Sequence, residues 1–333
     1  MKSLRSLRVF STAVIVAAAA SAWGQTCQTR DEIPGDPRSA MENAAKQAYD
    51  RAAAGDVSAM QANAIPSLQS SFNGVAAAIN ENKPAFAGAH PQLRTSFFID
   101  NGPTPSSDGR FYCGVFGAGG LGANTAEFDI PGLPAGKYGI VIQDFVGNKG
   151  PYALTTIFQE SNGWKLAAFY VRPASALGHD GIWYLEHARE YKSKGQNHNA
   201  WFYYVTSWQL LAPVEFMDSS LLSKITQESG GIQPKDVPAG NPVSFSANGR
   251  TYSITDMSVF RTDTTFDLAI RYSAANTADF NATQAEARGL ANAFVVQYPE
   301  LKDAFNNVWV HAVGPNGGDV VGLVNLKPAA KNE

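Results

Sequence analysis

From Leu93 the chain changes its local pattern. The runs TSFFID, GRFYCGVF, AEFDI, KYGIVIQDF, YALTTIFQE and GWKLAAFYVRP follow one another as far as Pro173. Each is short and rich in aromatic and β-branched side chains. Each is bounded by Gly, Pro, Asn or Asp, the signature of strands joined by turns. Upstream, residues 38–54 (RSAMENAAKQAYDRAAA) place Met41, Ala45 and Tyr49 near helical spacing, and residues 57–82 also read as helix, broken at Pro66. Helices followed by strands is a segregated order. It predicts α+β with an antiparallel sheet and excludes a doubly wound α/β fold.

The turn residues agree. Ser161-Asn162-Gly163 separates two alternating runs, and Asn-Gly readily takes the positive φ of a tight hairpin. In the last run Trp164, Leu166, Ala168, Tyr170 and Arg172 alternate with Lys165, Ala167, Phe169 and Val171. Both sets are mainly apolar, which predicts a central strand covered on both faces.

The element order over 38–173, and its ending in a strand, an Asn-Gly turn and a Trp-containing strand (ALTTIFQESNGWKLAAFYVRP), resemble the nuclear transport factor 2-like superfamily. That resemblance implies a cone: N-terminal helices wrapped by a curved antiparallel sheet. The stretch DIPGLPAGKYGI also resembles the turn-plus-strand signature of small β-sandwich modules of secreted proteins.

Residues 178–230 read differently. In YLEHAREYKSKGQNHNAWFYYVTSWQLLAP, the positions Ala188, Tyr191, Gly195, Ala200, Tyr204 and Ser207 resemble the spacing of one tetratricopeptide repeat. The resemblance implies a helical hairpin in which small residues let the helices approach and the two tyrosines fill the groove. Pro213 falls one residue late, and His187 stands where that family prefers Leu. Such repeats need about three copies to stand alone. One copy predicts a module that packs on its neighbours, with the aromatic run NAWFYYVTSWQLL set against the sheet domain. A further helix, SSLLSKITQE, is capped by Asp218 or Ser219. Residues 232–241 read as a linker. Residues 242–328 then give three alternating runs with turns at Asn248-Gly249 and Thr262-Asp263, a helix over about 281–305 interrupted near Pro299, and a hairpin around PNGG. The predicted organisation is a 1–24 signal peptide, a 25–37 linker, a 38–173 α+β cone-like domain, a 178–230 helical hairpin module and a smaller 242–328 C-terminal α+β domain.

The compartment follows from the first residues. Lys2, Arg5 and Arg8 precede an apolar run, and Ala22-Trp23-Gly24 ends in small residues, the three-part pattern of a secretory signal peptide. The run is too short and Ala-rich for a membrane span, and no later stretch is long and apolar enough. Cleavage after Gly24 leaves 23 basic residues against 29 acidic ones. That balance argues against nucleic acid or an anionic membrane as partner. The chain has two cysteines, Cys27 and Cys113. In an oxidising compartment they are expected to pair. A bond between them would pin an N-terminal arm that is otherwise loose, so its contribution to stability is expected to fall below the loop-closure value. A lipid anchor on Cys27 is the alternative, with Thr26 and Gly24 poorly suited to a lipoprotein signal.

Chemistry is sparse. GAGGLG at 117–122 matches G-x-G-x-x-G, but ANTAEFDIPG after it reads as turn and strand, so no helix N-terminus meets a pyrophosphate. The histidines His90, His179, His187, His198 and His311 form no metal-ligand pattern. His311 alternates with Trp309 and Val313 and reads as a half-buried strand residue. Asp180 opens the helical module as a cap. No G-x-S-x-G elbow occurs. Asp100, Asp129 and Asp144 stand at strand ends and could line a cone cavity as acid and base. No cofactor, metal or catalytic residue is expected. The reading is an exported, non-catalytic binding or interaction protein with an unknown protein or a small apolar ligand as partner. The alternatives are an enzyme using a cavity in 38–173, or a structural component of an envelope assembly.

Overall fold

The computed structural model describes residues 26–104, 108–114 and 125–327. The predicted signal peptide and the GAGGLG loop lie outside the described residues. The fold is α+β, built on a curled eight-stranded sheet, a five-stranded sheet and the helices packed on them.

The chain begins with β1 (Thr26–Thr29) and then forms α1 (Gly35–Ala54), α2 (Val57–Ala62), α3 (Pro66–Gln69) and α4 (Asn73–Phe86). Pro66 sits in the first turn of α3, where its missing N–H costs no helical bond. The strands β2 (Gln92–Asp100), β3 (Arg110–Cys113), β4 (Ala126–Asp129), β5 (Lys137–Gly147), β6 (Gly150–Glu160) and β7 (Trp164–Pro173) follow. Asn162 (φ 49°) and Gly163 (φ 98°) make the turn between β6 and β7.

Residues alternate along β5. Val141 and Phe145 face the helices and join Met41, Tyr49, Ile79 and Phe86 in one core. Tyr138, Ile140 and Ile142 face the other way and meet Phe97, Phe111, Cys113 and Phe128. With the later strand β10 (Met217–Ser219) at one edge, the strand order is β10-β4-β3-β1-β2-β5-β6-β7. Phe97 on β2 and Phe128 on β4 are three strands apart, about 14 Å in a flat sheet. Their rings lie 5.0 Å apart, so the sheet curls over its own side chains.

Two expectations are corrected here. The N-terminal arm is not loose: β1 is an internal strand, antiparallel to β2 and parallel to β3. The last strand is not central: β7 is an edge. A bulge opposite Ile157 and Phe158 adds one residue, Ala167, to β7 and reverses the alternation within it. Leu166 therefore shares the helical face with Phe169 and Val171, while Ala167 and Ala168 face the curl.

After a short ladder of β8 (Ser175–Ala176) and β9 (His179–Asp180) come α5 (Gly181–Ser193), α6 (Asn197–Leu211), β10 (Met217–Ser219) and α7 (Ser220–Gly230). Asp180 caps α5 through the Trp183 N–H, and Ser219 caps α7 through the Leu222 N–H. The strands β11 (Val243–Ala247), β12 (Arg250–Arg261) and β13 (Phe266–Ser273), the helices α8 (Phe280–Gln297) and α9 (Leu301–Ala304), and the strands β14 (Asn307–Val313) and β15 (Asp319–Asn325) complete the chain. The second sheet runs β11-β12-β13-β14-β15. Within this sheet β13 and β14 pair in parallel, and α8 lies in the crossover between them.

The aromatic residues of α5 and α6 belong to this second core. Tyr184 and Tyr203 meet Phe266 at 5.6 and 5.1 Å, and Phe202 meets Phe305 at 5.9 Å. The expectation that this aromatic run packs on the first sheet is thus corrected: it lies against β13 and the α8–α9 region. What reaches the first sheet is the α6–α7 connection, which adds β10 to the edge of β4.

Candidate functional site

Helix α1 turns Glu42 and Tyr49 toward the first sheet from one face, since seven residues make about two turns. Glu42 accepts a 2.8 Å hydrogen bond from the Ser96 hydroxyl on β2 and pairs with Arg30 at 2.9 Å. Tyr49 fits between Phe86 of α4 and Phe145 of β5, with both ring centroids 5.4 Å away and both contacts edge-on. Gln143 precedes Phe145 by two residues, so it points to the same face. Glu42, Tyr49, Phe86 and Gln143 line a cavity of about 600 Å³, closed on one side by the α4–β2 connection through Gly88 and His90.

Tyr49 is 2% exposed and Gln143 5%. Among the described residues, Tyr49 Oη and Gln143 Oε1 have no hydrogen-bond partner. A buried polar atom left unpaired costs about 1–3 kcal/mol. Both residues line the same cavity, and the two atoms themselves lie just behind its surface, out of contact with solvent. Burial, and then the nearby Asp50 charge, push the Tyr49 hydroxyl above its ordinary pKa, so it remains a neutral donor. Lys46 and Asp50 pair on the rim at 2.8 Å. Ser96 bonds directly to Glu42 with no imidazole between them to carry a proton, unlike a Ser–His–Asp arrangement.

A second polar cluster lies at the start of α6. His198 Nε2 sits 2.9 and 3.1 Å from the two carboxylate oxygens of Asp236, and the Tyr298 ring lies 4.1 Å from the imidazole. Burial opposes ionisation of Asp236, but hydrogen bonds from His198 and Tyr298 outweigh it and hold the carboxyl below its ordinary pKa. This pair ties the 232–241 linker to α6 and α8. No local signal could reveal it, because Asp236 reads as one more turn residue among prolines.

The predicted residues fall as follows. Cys27 and Cys113 form a disulfide between neighbouring positions of β1 and β3, with Cα atoms 4.6 Å apart. Ala188, Ala200, Tyr204 and Ser207 are buried where α5, α6 and α7 meet, and Ser207 donates to the Gly181 carbonyl at 2.7 Å. Tyr191 packs edge-on to Tyr203 and donates to the Asp303 carbonyl at 3.1 Å. Gly195 makes the turn between α5 and α6 at φ +72°. Tyr204 donates to Glu228, which also holds Arg189, so one carboxylate joins three helices. The three sheet aspartates do not converge. Asp144 is held by Arg94, Asp100 caps the turn at Gly102, and Asp129 ends β4. His179 and His187 stack on the two faces of Trp183 at 3.8 and 3.7 Å, and His311 pairs with Asp319 on the outer face of the second sheet. Among the described residues no group of three metal-ligating side chains converges, and no helix is long and apolar enough to cross a membrane. Sequence reasoning missed Glu42, Ser96 and Gln143. Each lies inside a helical or strand run with no local signal to set it apart, whereas Tyr49 falls on the buried stripe of α1.

No known protein family, curated protein or solved structure matches this chain.

Proposed function

We propose that this is an exported, non-catalytic binding protein whose first unit holds a small amphipathic molecule between α1 and the sheet. The single observation that carries the reading is that Tyr49 and Gln143, which line one cavity beside Phe86, each carry a buried polar atom without a partner, which a small turn of the side chain would bring to a guest. The guest would set an apolar body against Phe86 and a hydrogen-bonding group against Tyr49 and Gln143. Helices laid over a curved sheet with a cavity between them also support the kinship with nuclear transport factor 2-like proteins that the element order suggested.

The test is a thermal-shift screen of small amphipathic alcohols, amides and amines, repeated on Tyr49→Phe and Gln143→Leu. Tyr49→Phe deletes a hydroxyl without a partner, so its own stability should match or exceed the wild type. Compounds that stabilise the wild type should bind about tenfold more weakly to each variant, the worth of one buried hydrogen bond. Compounds whose binding ignores both substitutions would place the guest elsewhere and refute the reading.

Export rests on the basic, apolar and small-residue pattern of residues 1–24 and on the disulfide, which an oxidising compartment favours. Mass spectrometry of the mature protein should find an N-terminus at or near Gln25. An intact Met1 would overturn export by this leader.

A further inference from the structure

The pairing on the β7 edge of the first sheet stops halfway along the strand. At Leu166 the edge is taken. Its N–H donates to the Asn63 carbonyl and its carbonyl accepts from the Ile65 N–H, each at 2.9 Å. The α2–α3 connection is thus one residue of a further strand, centred on Ala64, before Pro66 turns it into α3. The extra residue Ala167 then shifts the parity of β7 by one. At the far end the Ala174 N–H donates inward to the Pro151 carbonyl, which fixes the same parity independently. Both put the N–H and C=O groups of Phe169 and Val171 outward, away from β6. Among the described residues no strand pairs with them.

This stretch opens into a cleft of about 850 Å³ walled by α4 and by residues 214–216. On the α4 wall the side of Gly74 is open, with nothing within 4 Å of where a Cβ would lie. The walls leave room for one extended chain. The end of the cleft sets Arg172 beside Glu215. Arg172 has one weak ion pair, to Glu215 at 3.6 Å, and Glu215 is 82% exposed. Behind it, Arg261 carries a buried Nη1 with no hydrogen-bond partner. Burial, together with the Arg172 charge, draws the Arg261 guanidinium below its ordinary pKa.

We propose that the Phe169–Val171 edge of β7 takes an extended segment of a partner protein by strand addition, with an acidic side chain of that segment seated at Arg172. At about 3.3 Å per residue, three residues of added strand span this edge. Backbone hydrogen bonds supply the affinity of such docking, and side-chain positions supply its selectivity. The site is separate from the α1 cavity and does not depend on it.

The probe is an end-capped peptide of eight residues alternating valine and threonine, with one aspartate near its end. It is compared with the same peptide carrying lysine and with an aspartate peptide N-methylated at alternate amides. Binding is followed by fluorescence anisotropy, and hydrogen exchange is followed at the Phe169 and Val171 amides. The aspartate peptide should bind at least about tenfold tighter than the lysine peptide, as a charge-assisted hydrogen bond implies. It should slow exchange at both amides, and the N-methylated peptide should do neither. Arg172→Glu should reverse the preference, and Val171→Pro, checked for native circular dichroism, should weaken every peptide. Equal binding of the aspartate and lysine peptides would overturn the proposal. So would binding without protection of the two amides, or a concentration-dependent dimer that protects them without peptide.

Discussion

Opening the Cys27–Cys113 bond should cost the first sheet more than an ordinary surface crosslink would. The two cysteines are 86 residues apart, and the chain-entropy account of such a loop gives about 4–5 kcal/mol. The position of β1 decides how much of that is realised. β1 pairs with β2 through four residues but meets β3 at the single register pair Cys27–Cys113. The β3–β4 hairpin and β10 therefore join the rest of the sheet through that pair and the side chains of the curl. Reduction should lower the unfolding free energy by about 4 kcal/mol. Cys27→Ala with Cys113→Ala should lose slightly more, because Cys113 is fully buried and its truncation leaves a small void. Urea titration of oxidised, reduced and doubly substituted protein measures the loss. Hydrogen exchange at Phe111 and Phe128 reports whether the hairpin loosens before the β5–β7 strands. A loss below about 1 kcal/mol, a small fraction of the loop value, would show that β1 adds nothing to the sheet and would sink the argument. So would unchanged exchange in the hairpin on reduction.

Asp236 predicts an acid-sensitive linker. Its folded pKa lies below the unfolded value of about 3.9, so the stabilisation is complete above that pH and is lost as pH falls through the folded value. Asp236→Asn should be less stable at neutral pH and should show a flatter stability curve below about pH 4, and parallel curves for the two proteins would contradict this. Gly322 faces the α8 backbone so closely that a Cβ would overlap Ala287 and Arg288. Gly322→Ala should therefore lower the unfolding free energy by about 1–3 kcal/mol in a urea titration, the usual cost of overpacking, and a neutral result would mean that α8 is free to shift.

The sequence by itself determined what depends on neighbours in the chain. The helical spacing of Met41, Ala45 and Tyr49 placed one buried face of α1 correctly, and all three are buried there. Asn162-Gly163 and Asn248-Gly249 named two hairpin turns because their residue types tolerate positive φ, and all four positions have it. Pro66 and Pro299 marked helix boundaries because proline cannot donate the required bond. Two cysteines left one possible pair. The tertiary structure alone decided which elements meet. It set β1 inside the sheet, sent β10 to β4, turned the aromatic face of α6 toward β13, and moved β7 from centre to edge through one bulge residue. It also gathered Glu42 and Tyr49 from a helix and Gln143 from a strand around one cavity, with Ser96 of a second strand bonded to Glu42. Turns and helix periods are settled within a few residues, where sterics and hydrogen-bond geometry leave few options. Partner choice is not, because the entropy of closing a loop rises only with the logarithm of its length. Distant and near partners then differ by little until their side chains pack.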